Sequence, residues 1–244
     1  MYKLTVSTLY KGDIELSFTD FEKFVKLVGH QIGLFHGYIN EEDSAYYCSI
    51  VSRDYSKRFQ EREQLGVFDN ISSNSTILDI GSGVSILDLV LYKYANGGNF
   101  FLLDKSQFDR EKLLSGQWNK DHGFYNDWDL FIDFAKHSNV NLDNFTMLSP
   151  EDNWPKEINL ITSSYSYMWH YPKDTYWHRI KPYALSGTCM CFDIANRPES
   201  VMIEISEDIE KLCIFKNKPR ILYHWFKDDL YLEDNSPGKV CYWA

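Results

Sequence analysis

The chain has 244 residues, which is enough for one α/β domain with its own hydrophobic core. Its formal net charge of −10 and the lack of any Lys/Arg-rich block argue against nucleic acid as the main partner, because a polyanion would be repelled. No apolar run approaches the roughly 18 residues of a membrane span, no signal peptide is evident, and the five cysteines form no CxxC pair. We therefore expect a cytoplasmic protein in a reducing compartment, with no zinc site and no membrane partner.

The first 66 residues are predicted to form a helical cap. Asp20 is a candidate N-cap, and a second helix is predicted from Glu41 to Gly66. The first helix is indicated by apolar residues at helical spacing, namely Phe21, Phe24, Val25, Val28 and Ile32. This interpretation divides the chain into a cap at 1–66 and one compact domain at 67–244.

From Ser75 onward, short apolar strands alternate with helices, which is the pattern of βαβ units in a parallel sheet. The predicted strands are TILDI, FFLLD, FTML, INLITSS and TCMCFDI, and the predicted helices are VSILDLVLYKYAN, one or two within 106–138, and KDTYWHRIKPYALSG. Near the end, RILYHWFKD and KVCYWA flank the turn sequence NSPG, which predicts a closing antiparallel hairpin.

Two glycines and two acids lie where the first two of these strands end. Gly81 and Gly83 follow TILDI, and their missing side chains allow a sharp turn that a ligand can approach closely. Asp104 closes the next strand, where an acid can accept hydrogen bonds from both hydroxyls of a ribose. Ligands of doubly wound sheets bind at this carboxyl edge, so we expect a cofactor site here.

The acid before the glycines decides between two cofactor classes. A dinucleotide needs GxGxxG, and the third glycine is missing from GSGVSI. Asp79 would also face a pyrophosphate with like charge, whereas it would suit a cofactor that carries an ammonium group. S-adenosylmethionine (AdoMet) has an ammonium, a sulfonium and a ribose but no phosphate, so the two acids favour AdoMet over NAD.

The segment ILDIGSGVS resembles motif I of the class I AdoMet-dependent methyltransferases, and FFLLD resembles the acidic motif after their second strand. The resemblance covers Ser75 to Asp193. It implies a Rossmann-like, mostly parallel seven-stranded sheet with a late antiparallel strand, AdoMet as cofactor and S-adenosylhomocysteine as product.

The same resemblance implies the cofactor contacts. Asp79, Gly81 and Gly83 would surround the methionine part, and Asp104 would bind the ribose. In the family the loop after the third strand, here MLSPEDNW, contacts adenine, with Glu151 and Asp152 competing for its acidic position. The complete expected set is Asp79, Gly81, Gly83, Ser85, Asp104, Lys105, Met147, Leu148, Ser149 and Ser163.

The segment after the fourth strand, SYSYMWHYP, is expected to face the transferred methyl group. It lacks the Asn/Asp-Pro-Pro-Tyr motif of amino- and nucleobase-directed members, and it resembles the Ser-x-x-Ser-x-x-x-His-Tyr-Pro segment of bacterial sugar O-methyltransferases. His170, with Tyr171 beside it, is the candidate catalytic pair, because a hydroxyl nucleophile gains from a base near neutral pKa. The alternative is that His170 only hydrogen-bonds the turn at Pro172.

Tyr165, Trp169 and Asp193 are the candidate substrate-binding residues, with sheet packing or turn capping as the alternatives. Arg53, Tyr46 or Tyr47 could reach the cofactor carboxylate, whereas Arg58 and the run KRFQERE are interpreted as solvated helix charge.

The expected function is methyl transfer to a hydroxyl of a small molecule such as a sugar. An N-methyltransferase of a small amine and a non-catalytic cofactor-binding homologue are the alternatives, and the oligomeric state is left open.

Overall fold

The computed structural model describes residues 1–31, 41–104, 128–164, 166, 174–194, 220–224 and 238–243. Its strands are β1 (Tyr2–Ser7), β2 (Asp13–Phe18), β3 (Thr76–Ile80), β4 (Asn99–Leu103), β5 (Phe145–Leu148), β6 (Leu160–Ser163), β7 (Cys189–Ile194), β8 (Arg220–His224) and β9 (Gly238–Trp243). Its α-helices are α1 (Phe21–Gln31), α2 (Ser44–Gln64), α3 (Ile86–Ala95), α4 (Trp128–His137) and α5 (Asp174–Leu185).

The main sheet has the strand order β5-β4-β3-β6-β7-β9-β8. Strands β3 to β7 run parallel, and β9 pairs antiparallel with both β7 and β8. The expected α/β architecture is confirmed for the parallel strands, and β8 and β9 form the predicted antiparallel pair. Because β3 pairs with β4 on one side and β6 on the other, the strand order reverses at β3, which is where such sheets bind ligands.

Both faces of the parallel sheet are covered, which explains why its strands are almost continuously apolar in sequence. Four of the five residues of β3 are buried. One core cluster contains residues of α3 and α4 together with Ile77 and Phe100 of the sheet. A second cluster on the other side packs Trp177 and Ile180 of α5 against the sheet, including Leu78 of β3.

The first 18 residues contradict the prediction of an all-helical cap, because they form the antiparallel hairpin β1–β2. Leu4 and Val6 are buried, as are Leu16 and Phe18 on the partner strand, while their sequence neighbours are more exposed. This alternation is the period of a half-buried strand. The turn uses Gly12, whose φ of +77° suits glycine.

The two helices predicted for this region are present. Asp20 is confirmed as the N-cap of α1, since its Oδ1 accepts a hydrogen bond from the Lys23 N–H at 3.0 Å. Helix α2 lies along the free edge of β1 and satisfies backbone groups that an edge strand leaves unpaired. The contacts are Thr5 N–H to Ser52 Oγ (2.9 Å), Ser7 N–H to Ser56 Oγ (2.8 Å) and Leu9 N–H to Glu63 Oε2 (2.7 Å).

The N-terminal part shares a hydrophobic core with the main domain. Phe18 stacks on Phe134 of α4 with a centroid distance of 4.6 Å, and the Ser17 N–H donates to Ser138 Oγ at 2.8 Å. One continuous core cluster includes residues of β1, β2, α1, α2, α3 and α4. The boundary at residue 66 stays a prediction, and the apolar core runs across it.

Candidate functional site

The two acids predicted to bind the cofactor lie at the carboxyl ends of adjacent strands. Asp79 is the fourth residue of β3 and pairs in register with Leu102 of β4, and Asp104 immediately follows β4. Asp79 is buried and Asp104 is half-buried. The structure therefore brings together the two carboxylates that the sequence placed at this edge.

The glycine turn between β3 and α3 is held against the end of β4. The Gly81 N–H donates to the Leu103 carbonyl at 2.6 Å, and the Gly83 N–H donates to Asp104 Oδ2 at 2.8 Å. Gly81 and Gly83 have φ values of +75° and +55°, in the left-handed region that glycine adopts without strain. One function of Asp104 is thus to fix the turn, because its carboxylate accepts a charge-assisted bond from the loop.

Ser166, just beyond β6, lies directly over Gly81. A Cβ atom built on Gly81 would overlap the Ser166 side chain, and the Ser166 Cα is 3.7 Å from that position. Gly81 is therefore required both by its backbone conformation and by the close approach of the segment that follows β6. This contact places Ser166 of the predicted methyl-facing segment on the glycine turn.

Asp79 has a second buried acid beside it, Asp88 in the first turn of α3. Burial is the main cause that raises the pKa of Asp79 to about 7, although a hydrogen bond with Asp88 and the charge of Arg62 oppose it. The pKa of Asp88 lies well above its ordinary value, first because of burial and then because of the charge of Asp79. Sequence reasoning missed Asp88, because an acid in a helical first turn is normally a solvated helix-terminus residue.

The raised pKa of Asp79 has a defined effect on stability. A carboxyl whose pKa is higher in the folded state stabilises the fold in its protonated form. This contribution is complete below the ordinary value of 3.8 and is lost as the pH rises through about 7. At neutral pH the apo site is thus held in a charge state that costs stability.

Four buried polar atoms around the turn have no hydrogen-bond partner. They are Asp79 Oδ1, Ser82 Oγ, Ser85 Oγ and Asp88 Oδ2. Ser85 is the N-cap residue of α3 with a φ of +56°, and its side chain makes no capping bond. Buried polar atoms in native proteins are nearly always satisfied by protein, water or ligand, so these four atoms are candidate contacts for a polar ligand.

A buried ion pair crosses the same edge from α2. Arg62 Nη2 donates to both carboxylate oxygens of Asp193, at 2.9 and 3.0 Å, and to Ser164 Oγ at 2.7 Å. Arg62 is 3% exposed and Asp193 is 1% exposed. The pair joins the C-terminal end of α2 to the ends of β6 and β7.

This pair corrects the interpretation of KRFQERE as solvated charge. Arg58, Glu61, Arg62 and Glu63 are all buried. Arg62 is a site residue that sequence reasoning missed, since nothing in the run distinguishes a cation that reaches the sheet from one that faces water. Only the tertiary placement of α2 shows the difference.

Two further predicted site residues, Asp193 and Ser163, form hydrogen bonds within the protein. Asp193 was a candidate for substrate binding, and its carboxylate accepts hydrogen bonds from Arg62. Ser163 was a candidate for cofactor binding, and its fully buried hydroxyl donates to the Ile80 carbonyl at 2.6 Å. Both contacts position the strand ends around the site.

The loop after β5 is ordered by polar contacts. The Ser149 N–H donates to Asp152 Oδ2 at 2.7 Å, and Arg179 of α5 donates to the Pro150 carbonyl at 2.6 Å. Met147 is 36% exposed, whereas Leu148 is buried in the second core cluster. The Ser149 N–H is thus committed to Asp152, and Met147, in β5 just before the loop, is an apolar side chain that remains accessible.

The residues predicted to reach the cofactor carboxylate lie on α2. Arg53 and Tyr46 are exposed, and Tyr47 is buried with its hydroxyl donating to the Val25 carbonyl at 3.3 Å. Five other predicted site residues lie outside the described residues, namely Lys105, Tyr165, Trp169, His170 and Tyr171.

Among the described residues, no three His, Cys, Asp or Glu side chains are grouped as metal ligands. No helix in the described ranges combines the length and the apolar character needed to cross a membrane.

The chain is similar to known proteins only in its three-dimensional structure. No protein-family model matches the chain, and no curated protein matches it. A methyltransferase from Pyrococcus furiosus is 11% identical, with 75% of this chain and 82% of that chain covered and a TM-score of 0.43. Precorrin-6y C5,15-methyltransferase from Geobacter metallireducens is 14% identical, with 75% and 88% covered and a TM-score of 0.42.

TYW2 of M. jannaschii, solved in complex with AdoMet, is 12% identical, with 75% of this chain and 73% of that chain covered and a TM-score of 0.42. TM-scores below 0.5 do not by themselves carry a function from one protein to another. The chain is thus similar in structure to methyltransferases and to an AdoMet-binding protein.

Proposed function

We propose that this protein is an AdoMet-dependent methyltransferase. The observation that carries the proposal is the arrangement of Asp79 and Asp104 at the ends of neighbouring parallel strands, around a glycine turn that Asp104 itself holds. Carboxylates at these two places suit a ligand with a cationic amino-acid end and a ribose, which is the chemistry of AdoMet.

The same geometry disfavours a dinucleotide. A pyrophosphate at a helix N-terminus needs free backbone N–H groups and a positive potential. Here the Gly83 N–H is taken by Asp104, and the two buried acids Asp79, at the end of β3, and Asp88, in the first turn of α3, flank the turn. An anionic ligand would be repelled by these acids, and it would find the Gly83 N–H already hydrogen-bonded to Asp104.

The residues present fit AdoMet part by part. Asp79, with its unpartnered Oδ1, would accept from the ammonium group, and Asp104 would accept from the ribose hydroxyls. Gly81 and Gly83 would let the methionine part approach the backbone, with Ser85 at the same turn. Met147 would pack on the adenine, and Asp152, which orders the following loop, is the proposed acidic partner of its amino group.

When bound, AdoMet supplies a methyl group on a positively charged sulfur, which an oxygen or nitrogen nucleophile attacks in line. The chain contributes orientation, which alone accounts for much of the rate in such transfers. The Arg62–Asp193 pair fixes the ends of β6 and β7, and Ser166 packs against Gly81. In the segment that follows β6, His170 with Tyr171 is proposed to take the proton of the attacking group, and Tyr165 and Trp169 are proposed to line the acceptor pocket.

The proposed acceptor is a hydroxyl of a small molecule, with a sugar as the first class to test. The segment after β6 has no Asn/Asp-Pro-Pro-Tyr motif, which supports oxygen over a planar nitrogen. The Asp193 carboxylate already has a cationic partner in Arg62, which weakens the case for a cationic amine at that place.

Cofactor binding is the first test of the proposal, and methyl transfer is the second. Thermal shift with AdoMet, S-adenosylhomocysteine and NAD⁺ should give stabilisation by the first two only, because a ligand that binds the native state raises its melting temperature. Release of S-adenosylhomocysteine over a panel of sugars, phenols and amines then separates O- from N-transfer. Stabilisation by NAD⁺ alone, or by none of the three, would refute the proposal.

Asp104→Ala is expected to weaken AdoMet binding by about 1.5–3 kcal/mol, the scale of a hydrogen bond to a charged group. This corresponds to a Kd that rises about 10- to 150-fold in isothermal titration calorimetry. The loss has two sources, the ribose contact and the bond that holds the Gly83 N–H. Glu157→Ala, at an exposed acid between β5 and β6, is the control and should leave Kd within about twofold. An unchanged Kd in Asp104→Ala would remove Asp104 from the site.

A further inference from the structure

The acidic part of the site contains more carboxyl groups than one ammonium contact requires. Asp79 is 5% exposed and Asp88 is 2% exposed, and each has one oxygen without a partner. Asp79 comes from the end of β3 and Asp88 from the first turn of α3, so the two elements that flank the glycine turn each supply one acid.

Two buried carboxyls in contact cannot both be ionised without a cation beside them, because like charges in a low dielectric repel strongly. The described cation whose charge reaches both acids is Arg62, and its Nη2 is bonded to Asp193. The pair therefore retains at least one proton in the free protein, which the two carboxyls share.

The surroundings of the pair include charged and titratable groups from every neighbouring element. The groups that face it are Arg62 and Tyr55 of α2, Asp104 after β4, and Cys191 and Asp193 of β7. Among these the acids outnumber the single cation, so the environment favours binding of one further positive charge.

We infer that Asp88 joins Asp79 in a two-carboxyl site for the primary ammonium group of the cofactor, and that binding this group at mildly acidic pH releases one proton from the pair to solvent. This inference rests on the proposed function and extends it, because it assigns a binding role to Asp88 and links cofactor affinity to pH.

The proton balance follows from the charge states of the pair. Below about pH 7 the pair is neutral, and the cation binds only after one carboxyl has lost its proton to solvent. Above that pH the pair already carries one negative charge, and binding releases no proton. The apparent Kd equals the intrinsic Kd divided by the competent fraction, so it should rise about tenfold per pH unit below 7 and level off above.

The test is calorimetric titration with S-adenosylhomocysteine, which carries the same amino group as AdoMet, at pH 6, 7 and 8. Each titration is repeated in two buffers of different ionisation enthalpy, so that released protons are counted directly. We expect binding about tenfold weaker at pH 6 than at pH 8, with about one proton released per ligand at pH 6 and almost none at pH 8.

Asp88→Asn tests whether the second carboxyl contacts the ammonium group. The amide keeps the shape and can still donate to Asp79, whose pKa is raised mainly by burial, so the rise in Kd toward pH 6 should persist. Kd should rise about tenfold at pH 8, because one carboxylate contact to the cation is lost. Asp143→Asn, which makes the same change at an exposed acid, is the matched control and should leave Kd within about twofold.

The outcomes are distinct. Binding by the wild type that is independent of pH and releases no proton would overturn the inference and leave the proposed function standing. A Kd of Asp88→Asn equal to that of the wild type at pH 8 would leave Asp88 without a binding role and also overturn it. No binding at any pH would overturn the proposed function and this inference together. If Asp88→Asn does not fold, proton counting on the wild type decides the question.

Discussion

Arg62→Met is expected to lower the free energy of unfolding by about 3–5 kcal/mol, the cost of breaking a buried ion pair by removing one partner. The variant keeps a long side chain that can fill the same volume, but it leaves the Asp193 carboxylate, which is 1% exposed, without its cation. Ser164 Oγ also loses its donor at 2.7 Å. Urea denaturation followed by circular dichroism measures the change as a lower midpoint at constant slope.

Two further variants distinguish the buried pair from a general effect of changing α2. Arg53→Met makes the same substitution at an exposed position of the same helix and should change stability by no more than about 0.5 kcal/mol. Arg62→Met combined with Asp193→Leu removes both charges and should recover much of the loss, because a well-packed apolar pair can replace a buried ion pair. Equal effects of Arg62→Met and Arg53→Met would show that the pair does not contribute to the fold.

The Arg62→Met variant should also bind the cofactor less well than the wild type does. The charge of Arg62 holds the pKa of Asp79 below the value that burial alone would give. Without it, Asp79 is protonated over more of the neutral range and offers the ammonium group a weaker partner. A buried cation on an N-terminal helix thus influences both the packing of the strand ends and the charge state of the site.

The parts of the site that the sequence predicted are those set by short local patterns. TILDI is an apolar strand, its acid and the two glycines are contiguous, and FFLLD repeats the strand-acid pattern. Parallel strands place their carboxyl ends at one edge, so Asp79 and Asp104 had to lie close together once the sheet was recognised. The N-cap at Asp20 was predictable for the same reason, since a cap bonds within three residues.

The parts that the sequence did not predict depend on contacts between distant segments. Arg62 and Asp193 are separated by 131 positions, and no local pattern marks either as buried. The hairpin β1–β2 is a different case, because the alternation of Leu4 and Val6 with polar residues was visible in the sequence. Six-residue strands give a weak periodic signal, and the stronger helical pattern after Asp20 dominated the interpretation.

Gly81→Ala is the second change with a large expected effect, and its cost has two separable sources. One is backbone strain, since φ at this position is +75° and a left-handed conformation costs alanine about 1–2 kcal/mol. The other is overlap with the Ser166 side chain, which adds about 1–3 kcal/mol of the kind seen when a packed core is overfilled. The turn must also shift, which moves the Gly83 N–H away from Asp104 and weakens cofactor binding.

Gly12→Ala isolates the backbone strain, because Gly12 has a φ of +77° and no atom lies within 4 Å of an added Cβ. It should cost only the backbone strain and leave AdoMet affinity unchanged. Gly81→Ala combined with Ser166→Gly removes the overlap and keeps the strain, so its stability should return to that of Gly12→Ala. Denaturant midpoints and calorimetric Kd values for the three variants give the two contributions separately. If Gly81→Ala were no more costly than Gly12→Ala, the segment after β6 would not pack on the turn, and it would then have no fixed position from which to present an acceptor to the methyl group.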